Sequence, residues 1–147
     1  METLQISNKL DNKSKASYNE TTQVIGLFGF GTVGAGLYHV LENSPTTKAR
    51  IKKVVIKNAF KERSINSKIF STNPDDILDD PEINLVVELI DNAEDAYRIV
   101  KAALIQGKSV VSGNKTMLSK HLNELIEIQK NTGTALLYDA SACGSIP

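Results

Sequence analysis

The sequence predicts an α/β fold, a doubly wound parallel sheet with strand order 3-2-1-4-5-6. Three observations carry this reading. Short apolar runs alternate with helix-period segments from Thr22 onward. Gly29, Gly31 and Gly34 cluster where the first run gives way to the first helix. The later run "INLVVELI" is apolar almost throughout instead of alternating. Alternating strands and helices imply parallel strands joined by crossovers, and a continuous apolar strand implies a sheet covered on both faces.

The elements follow in order. "TQVIGLFG" reads as a buried strand ending at the glycines. "TVGAGLYHVLENS" places Val33, Leu37, Val40 and Leu41 at helical spacing, and Asn43-Ser44-Pro45 stops it. "RIKKVVIK" supplies a β-branched second strand from Ile51 to Ile56, and "KIF" at 68–70 a short third one. Asn73-Pro74-Asp75-Asp76 has a capping side chain, a first-turn proline and acids at the positive end of a helix dipole. That helix is brief, because Asp80-Pro81 interrupts it. "INLVVELI" is the fourth strand. Asn92 caps the next helix, whose stripe is Ala96, Val100, Ala103 and Leu104 and whose end is Gly107. "KSVVS", "MLSKHLNELIEIQKNTG" and "TALLYDA" complete the alternation as strand, helix and sixth strand.

Composition bounds the function. A chain of 147 residues, 41% hydrophobic, supports one domain with a real core. We place that domain at 21–147, after a flexible polar tail at 1–20 that is rich in Ser, Asn and Lys. Formal net charge is zero, so no global field draws the chain to nucleic acid or an anionic membrane. No apolar run approaches the roughly 18 residues of a membrane span, and the N-terminus has no apolar signal core. The single cysteine, Cys143, forbids an internal disulfide and fits a reducing cytoplasm. The chain stops at "SACGSIP" straight after an apolar run, so we expect a fragment of something longer.

A GxGxxG pattern alone is weak, since glycines mark turns everywhere. Here it follows a strand, opens a helix and lies at the first βα turn, the Rossmann-type context that gives it meaning. Gly29 permits the tight turn, Gly31 admits a pyrophosphate to the backbone, and Gly34 lets helix and strand pack closely. The N–H groups of Thr32, Val33 and Gly34 then face the anion. The alternative is a bare turn without a ligand. Cofactor type depends on the end of the second strand, where NAD sites carry an acid for the ribose hydroxyls. No acid occurs between Glu42 and Glu62. Lys48, Arg50, Lys52, Lys53, Lys57 and Lys61 occur instead, with Arg63 just beyond. A 2′-phosphate needs cationic donors, so NADP is favoured over NAD. Lys52 and Lys53 read as decoration of a solvated face, leaving Lys57, Lys61 and Arg63 as candidates.

The stretches "VIGLFGFGTVGAGL", "LVVELI", "VVSGNKTMLS" and "LLYDASACGSIP" together resemble the N-terminal nucleotide-binding domain of homoserine dehydrogenase, over about residues 22–147. The resemblance implies NAD(P)-dependent interconversion of aspartate 4-semialdehyde and homoserine, on the branch toward threonine and methionine. It implies that Ile90 and Asn114 contact the cofactor and that Lys115 lies by the nicotinamide and the reacting carbon. A cation there orients the carbonyl or stabilises charge on its oxygen. It further implies a monovalent-cation loop, sodium for example, at Asp139, Ala142, Gly144 and Ile146, with oxygen ligands suited to a hard ion. The family's glutamate is Asp139 here, one of its glycines is Ser145, and its paired glycines after "VVELI" are Asp91-Asn92. The substrate pocket and the remaining catalytic groups belong to a later domain in that family. The expected protein is therefore the cofactor half of a homo-oligomeric enzyme, acting on a small-molecule substrate and inactive alone. A stand-alone NADP(H) sensor is the competing reading. His39, His121, Cys143 and Tyr138 are expected to be structural.

Overall fold

The computed structural model describes residues 21–138; the polar tail at 1–20 and the segment 139–147, with Cys143 and all four expected cation ligands, lie outside the described residues. Strands β1 (Gln23–Phe28), β2 (Ala49–Val55), β3 (Phe70–Ser71), β4 (Leu85–Glu88), β5 (Ser109–Ser112) and β6 (Leu136–Tyr138) form one parallel sheet. Its order is β3-β2-β1-β4-β5-β6, as the sequence predicts. The crossovers carry helices α1 (Thr32–Glu42), α2 (Asp75–Leu78), α3 (Ala93–Ile105) and α4 (Lys115–Thr132).

Because side chains alternate along a strand, neighbouring apolar residues feed opposite faces. Phe28, Val55, Val86 and Val110 pack under α2, α3 and α4 with Val100, Leu104, Leu118 and Leu125. Leu27, Val54 and Val87 face the other way, where Leu37 and Leu41 of α1 cover them. Gly26 has a packing reason: a Cβ there would collide with Ile77 Cγ2, so α2 lies directly on β1.

Two local expectations are corrected. The "KIF" stretch is a 3-10 turn over Ser67–Ile69 followed by a two-residue strand. Asn66 causes it: its side-chain oxygen accepts the Lys68 N–H at 3.0 Å, closing a turn where a strand was expected. In β2 the pairing with β1 skips a residue between Ile25 and Gly26, so Lys52 is extra. This bulge lets Ile51 and Val54 join one face although three residues apart. It also aims Lys52 at Asp80 and Glu82, 2.6 and 2.7 Å away. Lys52 is thus an ion-pair partner, not mere decoration.

Candidate functional site

The site begins at the turn after β1. Gly29 has φ +94°, and a Cβ there would sit 2.7 Å from the Leu89 carbonyl oxygen. Only glycine follows this path without strain. A Cβ on Gly34 would come within 2.5 Å of the Gly29 carbonyl oxygen, which is the close helix–strand packing expected of the third glycine. Gly31 differs from both. Nothing lies within 4 Å of its ideal Cβ position, so its backbone is open to an approaching group.

Gly31 is also the N-cap of α1, with no side-chain cap and no acid in the first turn. The first helical bond runs from Ala35 N–H to the Gly31 carbonyl at 2.9 Å. The N–H groups of Thr32, Val33 and Gly34 precede it and have no partner among the described residues. Three unsatisfied donors at the positive end of a helix dipole suit an anion. Residues and geometry therefore fit a dinucleotide pyrophosphate.

A cavity of about 860 Å³ opens beside this turn, at the C-terminal ends of β1, β2 and β4. β1 lies between β2 and β4, so this is the switch point at which ligands enter doubly wound sheets. Gly29, Gly31, Lys57, Lys61, Arg63 and Ile90 all line it, which joins six of the sequence-derived cofactor candidates in one space. Their cations are differently committed. The Arg63 guanidinium donates to the carbonyls of Lys61 (2.8 Å) and Asn58 (3.1 Å) and lies 5.0 Å from the Phe70 ring centroid. Arg63 shapes its own loop. Lys57 pairs with Asp95 at 3.3 Å. Lys61 is exposed and unpaired among the described residues.

Asn114 and Lys115 occupy the next turn along the rim and do not line this cavity. Lys115 is the first residue of α4, exposed and unpaired among the described residues. Asn114 is buried and committed to the scaffold. Its side-chain oxygen caps α4 by accepting the Met117 N–H at 2.9 Å, and its amide donates to the Ile90 carbonyl at 3.0 Å. Asn114 therefore ties the turn after β5 to the turn after β4 and fixes where Lys115 begins.

Beneath it lies a group that the sequence reading missed. Glu88 is fully buried at the end of β4; one carboxylate oxygen accepts the Ile90 N–H at 2.7 Å and the other the Ser112 hydroxyl at 2.6 Å. Ser112 in turn accepts the Asn114 N–H at 3.2 Å. Burial pushes the Glu88 carboxyl above its ordinary value, and the two donors offset part of that push. The available signal was an acid inside an otherwise apolar strand. Asp91, whose place after β4 put a carboxylate near the cofactor in the sequence reading, lines the cavity; Asp95 and Arg98 line it too and were missed, because they read as ordinary solvated positions of a helix.

Of the residues expected to be structural, Cys143 lies outside the described residues. His121 stacks on Tyr97 across α3 and α4, with centroids 3.8 Å apart. His39 is exposed on α1 and Tyr138 is half-buried against the core. Among the described residues no group of His, Cys, Asp and Glu could hold a metal ion, and no helix is long and apolar enough to cross a membrane.

Comparison with known proteins agrees with this geometry. Residues 29–139 match the family model described as homoserine dehydrogenase, NAD binding domain. Homoserine dehydrogenase of Helicobacter pylori is 37% identical over 130 residues, and that of Bacillus subtilis 31% identical over 135. Each match takes in 84% of this chain and 30% of the relative. A crystal structure of homoserine dehydrogenase from Thiobacillus denitrificans superposes with a TM-score of 0.74 at 34% identity, over 81% of this chain and 30% of that one. A crystal structure of the S. aureus homoserine dehydrogenase gives 0.73 at 27%, over 80% and 32%. The chain thus spans about 30% of the length of the curated relatives it matches. It belongs to the homoserine dehydrogenase family of oxidoreductases as a nicotinamide-cofactor-binding domain.

Proposed function

We propose that this chain binds NADP(H) at the β1–α1 turn, and that the longer protein it serves interconverts aspartate 4-semialdehyde and homoserine on the branch toward threonine and methionine. The observation that carries this is the open Gly31 backbone beside three N–H groups without partners among the described residues and a cavity edged with cations. The first-turn N–H groups of α1 hold the pyrophosphate. Lys61, uncommitted, and Lys57, held only in an exposed ion pair, receive the 2′-phosphate. Arg63 holds the loop that presents them. Ile90 supplies an apolar wall, and Asn114 sets the origin of α4 so that Lys115 is presented toward a substrate carbonyl. The cofactor, when bound, exchanges hydride with the substrate carbon. The Lys115 ammonium orients the carbonyl and stabilises charge on its oxygen. In the longer protein, the partners are a small-molecule substrate and further copies of the same chain.

Replacing Gly31 tests the reading. Gly31 has φ −82° and ψ −157°, backbone that any residue adopts, so Gly31→Val keeps the fold. The added methyls occupy the space through which a pyrophosphate reaches the N–H groups. Calorimetric titration with NADPH should then show no binding by a variant whose circular dichroism is unchanged. Undiminished affinity in the folded variant removes the phosphate-loop assignment.

A further inference from the structure

The sequence offers cations at the end of β2 and no acid, yet the fold delivers an acid to the same place from elsewhere. Lys57 lies just past β2, and Asp95 in the first turn of α3, after β4. With β1 between those strands, their ion pair crosses the crevice above the end of β1, Nζ to Oδ2 at 3.3 Å. Both side chains line the cavity and both are open to solvent, at 77% and 42%. Asp95 is anchored through its backbone, whose N–H donates to Asn92 Oδ1 at 2.9 Å. Its carboxylate is left facing Lys57.

Two kinds of dinucleotide meet this pair differently. A 2′-phosphate needs the Lys57 ammonium and is repelled by a carboxylate already in contact with it. A free 2′-hydroxyl is a donor, which a carboxylate accepts; this is what the acid at the end of the second strand does in NAD sites. We infer that Asp95 is a specificity-determining residue: it competes with the 2′-phosphate for Lys57, serves the ribose hydroxyls of NADH, and so narrows the preference for NADPH. This rests on the reading that a dinucleotide enters this cavity, and it adds a residue from the opposite wall. Asp91 lines the same cavity but makes no ion pair with Lys57. It therefore separates a general charge effect from a specific contact.

The chain, Asp95→Asn and Asp91→Asn are each titrated with NADPH and with NADH, with circular dichroism confirming the fold. Asp95→Asn should raise the ratio of NADPH to NADH affinity about two- to fivefold, the scale of an exposed ion pair, and beyond the effect of Asp91→Asn. Added salt should shrink the difference. Equal shifts in the two variants, or none, overturn the inference. If the unaltered chain binds NADH more tightly but Asp95→Asn still moves the ratio toward NADPH, the role of Asp95 stands and the NADP preference falls. If the unaltered chain binds neither dinucleotide, both fall.

Discussion

The two rims of the sheet are built from similar residues and used in opposite ways. At the rim where β4 and β5 begin, nearly every polar group is matched. Lys52 bridges Asp80 and Glu82. Lys108, 6% exposed, donates to the carbonyls of Asp80 and Ile83 at 2.6 and 2.8 Å. Asn84 accepts the Val24 N–H, and its own N–H and carbonyl extend the ladders of β1 and β5. At the rim where β1, β4 and β5 end, Thr32, Val33 and Gly34 keep N–H groups, and Lys61 and Lys115 ammoniums, without partners among the described residues. Satisfied polar groups hold a fold, whereas a binding site must leave donors for its ligand. The matched groups on the open rim are the exposed Lys57–Asp95 pair, Arg63 within its own loop, and Glu88, Ser112 and Asn114, which lie below the surface and position what lies above them.

The sharpest way to break this contrast is at Lys108. Burial pushes its ammonium below the ordinary value, with Asp80 and Asp79 opposing that push. Even so, its two hydrogen bonds satisfy the buried Ile83 carbonyl and the part-buried Asp80 carbonyl. Lys108→Met fits the apolar stem but orphans the Ile83 carbonyl and leaves the Asp80 carbonyl only the Ile83 N–H at 3.3 Å, and charged hydrogen bonds of this kind are worth about 1.5–3 kcal/mol each. Relief from burying a charge returns part of that loss. We expect a net loss of about 2–3 kcal/mol in urea unfolding, with NADPH affinity of the folded variant unchanged. A fall in affinity without a fall in stability would mean that the two rims are not separate in function.

How much of this was legible in the sequence follows from the range of each signal. The glycine turn, the Asn92 cap and the strand order depend on spacing within a few residues or on the order of elements. All were readable. Glu88–Ser112 and Lys57–Asp95 join residues from different strands and crossovers, and no local pattern says which acid meets which hydroxyl or lysine. The β2 bulge was hidden for another reason. "IKKV" reads as simple alternation with a polar face, and only pairing with β1 shows that one lysine is extra. The short third strand exists but starts at Phe70, because the Asn66 turn takes the first two residues of "KIF".

A smaller effect separates the rims by the sign of their response to acid. Lys52 holds Asp80 below the ordinary carboxylate value, more strongly than burial raises it. Its contribution to stability is present above pH 3.8, the ordinary value, and is lost as pH falls through the lowered one. Glu88 is raised, chiefly by burial, so its protonated form favours the fold. That contribution is full below pH 4.5 and is lost as pH rises through the raised value. Asp80→Asn should flatten the acid limb of the stability profile and converge with the unaltered protein at low pH. Relative to Glu88→Gln, the unaltered protein should lose stability as pH rises. Urea midpoints from about pH 3 to about pH 8 check both slopes. Slopes of the same sign would erase the distinction between a paired surface acid and a buried one.

The smallest expected effect on the fold is at Lys115. It is exposed at the first position of α4, pairs with nothing among the described residues, and sits where a positive charge opposes the helix dipole. A fold-building residue would not be left so. Lys115→Ala should melt within about 2 °C of the unaltered chain and bind NADPH with nearly unchanged affinity, because Lys115 does not line the cavity proposed for the cofactor. Placed in the longer protein, the same change should lower kcat/KM for homoserine strongly, since an interaction made at the reacting carbonyl is felt in the transition state. Steady-state kinetics with homoserine and NADP, beside calorimetry on this chain, separates the outcomes. If affinity for NADPH falls as far as kcat/KM does, Lys115 is a cofactor anchor. If stability falls with it, the open rim is part of the scaffold after all, and the contrast between the two ends of the sheet is one of degree.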